Sequence, residues 1–405
     1  MATREERKEL FNHVIRRDGK PGRVPLLCNV SSSWKVLESR YPLSDALRNG
    51  EHLKQCTLDF HEKYDYDAYC DMGGRNPLRV ADALGRSGHI IDDAAGTISI
   101  KDNKYMTEDD YDIILKKGWK RWLLENYLPR RLQVRSAEEF ADKLDSGVPE
   151  MLKYFEEMGQ IGAAMNERNA LGGGMSFVIQ PACMLMNWYR GIENFSIDLR
   201  RRKEKVKAVL DIIWEETSPY AHADSTLEEQ ADVSTANKMI MTSKINADDP
   251  NCMAMANHQA TFLSNAVMNP KQFEYFIWPY FSQALDYAVA HNQTVFLYAE
   301  ADVLRFKDYI NSVPKGTMAV MLEMDDLFEA KKVIGDHVAL VGGYPVNYLY
   351  HKSIEENIDL CKRIMDEVAY DGTYIYSENK IVCHKTDADP EKLKAVVDFF
   401  RNTKY

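Results

Sequence analysis

Short runs of apolar, β-branched and aromatic residues recur along the chain, and stretches with helical spacing separate them. Eight such runs stand out: Val24–Val30, Asp67–Asp71, Met175–Gln180, Cys252–Ala256, Thr294–Tyr298, Thr317–Leu322, His337–Val341 and Thr373–Tyr376. Runs that are apolar on both faces, rather than alternating, mark strands buried on both sides, the signature of parallel strands joined by crossover helices. Eight units of this kind predict an α/β fold, a (β/α)8 TIM barrel with N-terminal and loop insertions. A doubly wound open sheet is the alternative, and no GxGxxG turn supports it.

The helical segments carry their own punctuation. Ser353 with Glu356 makes a capping box, and Ile354, Ile358, Cys361, Met365 and Val368 then line one face. Asp389-Pro390 opens a last helix through Leu393, Val396, Val397 and Phe400. Asn269-Pro270 starts another, rich in aromatics, which Pro279 ends or kinks. Insertions break the pattern at about 87–170 and 215–247. Residues 87–106 read as a small hairpin around Gly96, residues 107–170 as charged helices, and residues 215–247 as a polar loop or cap. With no fixed-period repeat and no low-complexity linker, residues 1–405 are read as one elaborated domain. The run Arg200–Lys205 is read as a solvated helix face.

Composition narrows the class. The chain has 405 residues, 45% hydrophobic and 28% charged, which excludes disorder and collagen-like structure. A formal charge of −11 disfavours nucleic acid as a partner, and no apolar window is long enough for a membrane span. The charged opening Met1–Leu10 lacks the apolar stretch of a secretion signal. Seven cysteines without a CxxC pair read as reduced thiols, and the expected location is the cytoplasm. Should the chain self-associate, a symmetric homodimer is the default.

In a barrel of this kind the chemistry sits at the carboxyl ends of the strands. Reading those ends in order gives Asn29, Asp71, Gln180, Asn257-His258-Gln259, Tyr298 and Glu300, Glu323, Tyr344, and Ser377-Glu378. His258, Glu300 and Glu378 form the sharpest set: an imidazole and two carboxylates able to bind zinc or another divalent metal, with a position left open for substrate. Without metal, the same carboxylates would be general acids with pKa raised by burial. Asp71 and Glu323 are further candidates for that site. Cys383-His384 is discounted as a ligand pair, because neighbours on a strand point to opposite faces. Met184, Met186, Trp188 and Tyr189 follow the third strand, as core or as a soft pocket for a hydrophobic substrate.

The stretch Asn269–Tyr280 with Ala284-Leu-Asp-Tyr-Ala288, the stretch Asp325–Gly343, and the helix from Ser353 to Gly372–Tyr376 resemble, in that order, the uroporphyrinogen decarboxylase superfamily. The resemblance is best over about residues 250–400, with looser support from Arg23-Val-Pro25 and residues 76–85, and it implies the same barrel. The superfamily's haem-pathway decarboxylases carry an arginine-rich N-terminal motif that clamps the substrate's carboxylates. At that place this chain has Leu27–Trp34, with no arginine before Arg40, which argues against a tetrapyrrole substrate. The other branch is corrinoid-dependent methyltransferases. Those acting on thiols bind zinc through a His-x-Cys pair and a further Cys, whereas the matching positions here resemble Tyr298-Ala299-Glu300 and Ser377-Glu378-Asn379. Loss of the sulfur ligands points to the demethylating members, which pass a methyl group from a methoxylated aromatic molecule to cobalt(I) on a corrinoid protein. Taken with the strand-end reading, Glu300, Asp71, Tyr298 and Glu323 are expected to be catalytic, and Asn29, Gln180, Asn257, Tyr344 and Met184 to line the substrate. A decarboxylase, or a non-catalytic subunit that binds the corrinoid protein, is the alternative.

Overall fold

The computed structural model describes residues 2–71, 77–85, 88–101, 105–222, 254–263 and 265–405. Eight parallel strands follow one another in the order β1 (Leu27–Cys28), β2 (Ala68–Tyr69), β5 (Leu171–Ile179), β6 (Ala254–Phe262), β7 (Val295–Ala299), β8 (Met318–Leu322), β9 (Ala339–Gly342) and β10 (Tyr374–Ile375). The Leu27 N–H donates to the Tyr376 carbonyl and the Tyr376 N–H to the Pro25 carbonyl, each at 2.9 Å. With the parallel Leu26–Tyr376 bridge, these bonds join the last strand to the first and close the barrel, so no open sheet is left. All eight apolar runs are strands because both faces are buried, inward against the barrel interior and outward against helices. The hairpin expected near Gly96 is β3 (His89–Asp92) paired antiparallel with β4 (Thr97–Ile100), outside the barrel.

Two strands differ from the sequence reading. β5 starts at Leu171, because Gly172-Gly173-Gly174 extends it backward. A Cβ on Gly174 would stand 2.4 Å from the Gln259 Cβ and 2.9 Å from its backbone nitrogen, so the close approach of β5 to β6 requires glycine there. β6 continues to Phe262, which places Asn257-His258-Gln259 inside the strand rather than after it. Pro279 also acts differently: it sits in the first turn of a new helix, Trp278–Ala290, after Pro270–Phe276 has ended.

The helix Arg4–Arg16 plugs the amino-terminal end of the barrel. Its Phe11, Val14 and Ile15 are buried in one cluster with Leu27, Ala68, Leu171, Met255, Phe296, Ala319, Val341 and Ile375, the inward residues of the strands. Arg7 fixes the plug by donating to the Tyr66 carbonyl at 2.6 Å and to Asp65 at 2.5 Å. Below β2, Asp67 takes a two-pronged contact from Arg23 at 2.7 Å on each oxygen. The segment read as charged and helical contains the long helix Ala137–Asn166, which packs on the helices Gly50–Tyr64 and Leu78–Ala83. Most of the expected 215–247 loop lies outside the described residues. No helix among the described residues is long and apolar enough to cross a membrane.

Candidate functional site

With the amino-terminal end plugged, the open end of the barrel is where the strands finish. Side chains alternate along a strand, so the interior residues Leu27 and Ile375 put Asn29 and Ser377, two positions on, on the same inward face. Both are buried, and neither the Asn29 Oδ1 nor the Ser377 Oγ has a hydrogen-bond partner. A buried polar atom without a partner costs about 1–3 kcal/mol unless something fills the site. The Asn29 amide nitrogen donates to the Glu378 carbonyl at 3.3 Å, which leaves the oxygen as the unpartnered end of the amide. Cys70 and Tyr298 pack at the edge of the interior cluster, and Met321 lies within it. Gln259 reaches over Gly173, where a Cβ would come within 3.1 Å of its Oε1 and 3.7 Å of the Phe296 ring. By the same alternation Glu300 follows Phe296 and Tyr298, and Glu323 follows Ala319 and Met321, so the described inward residues at this mouth are hydroxyls, amides, a thiol and a thioether, with two carboxylates at the rim and no cation among them.

Glu378 stands elsewhere: it follows Ser377 and so faces outward. It is fully buried, its Oε1 accepting the Tyr66 hydroxyl and, at 3.3 Å, the Tyr376 hydroxyl, while its Oε2 accepts the Asn29 N–H at 2.9 Å. Burial pushes the Glu378 carboxyl above the usual glutamate range, and the three donors pull the other way. Stacking of Tyr376 on Phe400 and of Tyr66 on Phe60 closes the cage. Glu378 therefore anchors the loop after β1 and sets the position of Asn29.

On the rim, Asp71 accepts the Ser32 N–H at 2.8 Å and the Ser32 hydroxyl at 2.9 Å, at the start of the helix Ser32–Leu37. Its carbonyl takes the buried Lys35 ammonium, which lies 5.5 Å from the Phe60 and Tyr69 ring centres. Glu323 accepts the Ala301 N–H, and Asp325 accepts those of Val303 at 2.6 Å and Leu304 at 3.4 Å. Burial raises the Asp325 pKa against those backbone bonds. The two acids thus secure the turn after β7, where Ala301 holds φ of 60°, an uncommon conformation for a residue with a Cβ. Asn379 joins the strand tips, donating to the Glu323 carbonyl at 2.8 Å and accepting the Val346 N–H at 3.0 Å. Glu300 itself is exposed at the end of β7, with its carbonyl bound by the Asn265 amide at 2.6 Å.

The metal trio does not assemble. His258 is buried in the layer between strand and helix, its Nδ1 2.8 Å from the Tyr220 hydroxyl and its Nε2 against the Gln293 amide oxygen. The ring also packs edge-on to Tyr220 and Tyr287, with centroids 5.7 and 5.9 Å away. Both nitrogens are engaged, and the residue pairs with Val295, the first residue of β7, far from the strand ends. Glu378 is caged outside the barrel and Glu300 stands on the rim. Among the described residues no group of three His, Cys, Asp or Glu side chains could hold a metal ion.

Other expected substrate contacts move as well. Asn257 accepts the Thr294 N–H at 2.9 Å and ties β6 to the start of β7, below the mouth. Tyr344 faces outward, its hydroxyl on Asn357 at 2.5 Å. Met184 ends the short helix after β5 and packs on the outer core. Gln180 precedes that helix, fully buried with both ends of its amide unpartnered. Of the expected residues, the structure brings Asn29 and Tyr298 to the cavity and Glu300, Glu323 and Asp71 to its rim. Ser377 and Gln259 stood among the strand-end residues without an assigned role, and Cys70 and Met321 were missed as lining; counting in twos from Leu27 and Ile375 separates Ser377 from Glu378.

Residues 232–403 match the model of the family Uroporphyrinogen decarboxylase (URO-D), so the superfamily resemblance holds over that span. Among solved structures, the fold is similar to a methyltransferase from Methanosarcina mazei, with 16% identity, 98% of each chain covered and a TM-score of 0.58. No curated protein matches the sequence.

Proposed function

We propose that this chain is a methyltransferase that moves a methyl group from a methoxylated, aromatic small molecule to the cobalt of a corrinoid carried by a separate protein. The observation that carries the reading is that no guanidinium or ammonium group stands among the described inward residues of the mouth. A decarboxylase acting on a polycarboxylate needs guanidinium or ammonium groups facing its substrate, and the described inward residues at the strand ends supply none. The family match and the likeness to a methyltransferase fold support the same branch.

The nucleophile comes with the corrinoid, a substrate of the reaction rather than a resident group. The chain's own task is to hold the donor and to stabilise the oxygen that leaves. As the methyl carbon departs, the C–O electron pair stays on oxygen, and that charge needs a hydrogen-bond donor in a dry site. Ser377 and Tyr298 present hydroxyls to the cavity, and the Asn29 Oδ1 accepts an O–H or N–H of the donor molecule. The proton that finally neutralises the phenolate comes from the Tyr298 hydroxyl, which water reprotonates. Glu300, Glu323 and Asp71 shape the rim around this site. Because the donor set for a metal does not gather, no step runs through one.

The test is an anaerobic assay of the purified chain with reduced cobalamin and 2-methoxyphenol, following the cobalt absorption. The expected result is conversion to the methylated form, slowed about 100-fold or more in Tyr298→Phe, the size of effect seen when one oxyanion donor is removed. Release of CO2 from carboxylated substrates, with no cobalt methylation, would establish the decarboxylase instead. Binding of a corrinoid protein with no turnover at all would mark a scaffold subunit.

A further inference from the structure

The helix Ala137–Asn166 is thirty residues long, and among the described residues only one side of it is packed. Its inner side is held by Arg79, which reaches Glu150 at 3.0 Å and Glu157 at 2.8 Å, and by Gly147, Ile161 and Met165. The outer side carries Leu144, Val148, Leu152 and Phe155, exposed by 42, 49, 66 and 49%. At 100° per residue these four fall within one narrow stripe. Gly159, Gly162 and Ala163 continue it toward the carboxyl end, and a Cβ added at either glycine would meet nothing within 4 Å. A mid-helix glycine costs about 0.5–1 kcal/mol against alanine, and among the described residues no contact asks for two of them.

We infer that this stripe is the two-fold interface between two copies of the chain, the helices packing antiparallel about an axis between Lys153 and Tyr154. In that register the stripe is complementary to itself. Leu144 stands opposite Ala163, Val148 opposite Gly159, and Leu152 opposite Phe155, so the bulky half of one helix meets the small half of the other. Each such pair occurs twice, as a two-fold contact requires, and the glycines let the backbones approach closely. Beside the axis, Lys153 of one copy comes within a turn of Glu156 of the other, and both are exposed. A contact about 30 Å long and one helix wide buries roughly 600 Å² in total, short of the ~1,200–2,000 Å² of a stable interface. The dimer is accordingly a weak one that forms reversibly with concentration.

Sedimentation velocity of the full chain over a hundredfold concentration range tests this. The expected result is a reversible monomer–dimer equilibrium, weakened at least tenfold by Leu152→Glu and by Gly159→Phe, with unchanged circular dichroism. Lys153→Glu alone should weaken it, and Lys153→Glu with Glu156→Lys should restore it; that rescue belongs to this register and to no other packing. A chain that stays monomeric throughout, or a dimer that Leu152→Glu leaves intact, overturns the proposal. So does a stripe that binds only lipid vesicles.

Discussion

Removing the Glu378 side chain tests whether the mouth is held from behind. In Glu378→Ala the Tyr66 and Tyr376 hydroxyls and the Asn29 N–H all lose their acceptor in a fully buried place. Each stranded donor costs about 1–3 kcal/mol, so three would cost ~3–9 if nothing relaxed. Rotation of the two hydroxyls, and relief from burying a carboxyl, bring the expected loss to about 2–5 kcal/mol. Glu378→Gln keeps the shape, with the amide oxygen on the Asn29 N–H and the amide nitrogen donating to the tyrosine oxygens, at a cost of ~1 kcal/mol. The two variants also separate by pH. A carboxyl with a raised folded pKa gives stability that is fully present below its unfolded pKa of about 4.3, and that is lost as pH climbs through the folded value. Glutamine does not titrate, so the deficit of Glu378→Gln should shrink as pH rises above about 4.3 and then level off. Urea unfolding followed by tryptophan fluorescence at several pH values measures both effects. An alanine variant within about 0.5 kcal/mol of the parent would refute the cage, and a deficit independent of pH would refute the buried titration.

The remaining predictions address the cavity, the rim and the outer layer. Ser377→Ala should lower the rate of methyl transfer with little effect on folding, because its hydroxyl has no partner to lose; a rate unchanged in the cobalt assay removes Ser377 from the site. Asn29→Asp replaces the amide that meets the donor molecule by an acid in a mouth already rimmed by Glu300 and Glu323, and the apparent KM for a neutral methoxyarene should rise at least tenfold. Ala301→Gly should leave thermal stability the same or raise it by up to about 1 kcal/mol, since Ala301 sits at φ of 60°; a clear loss in calorimetry would contradict that. His258→Leu should cost about 1–3 kcal/mol by stranding Tyr220 and Gln293, while kcat of the surviving protein stays within twofold; a collapse of kcat would return His258 to the chemistry.

The barrel was legible because its strands are apolar on both faces and short, a pattern that survives any loop between them. Strand ends were less legible, and the site with them. β6 continues through Asn257, His258 and Gln259, polar residues that look like a strand end but find partners in Thr294, Tyr220 and Gln293. The side a residue faces mattered more than its place in the run. Ser377 and Glu378 are neighbours, and one residue of register puts the serine in the cavity and the carboxylate in a tyrosine cage. Asp71 and Glu323 were read as chemistry because carboxylates serve as acids and as metal ligands, and the structure shows each of them also accepting a backbone N–H. Nothing in the sequence alone distinguishes those two uses.

Methyl transfer is tested most directly by where the methyl carbon goes. A 2-methoxyphenol carrying ¹³C in its methyl group, incubated anaerobically with the chain and reduced cobalamin, allows that carbon to be followed by NMR. The label should leave the methoxy resonance and appear as a cobalt-bound methyl, in step with free catechol, with wild type far ahead of Tyr298→Phe. A label that stays on oxygen across a panel of neutral methoxyarenes, while a carboxylated substrate loses CO2 in the same vessel, would contradict it.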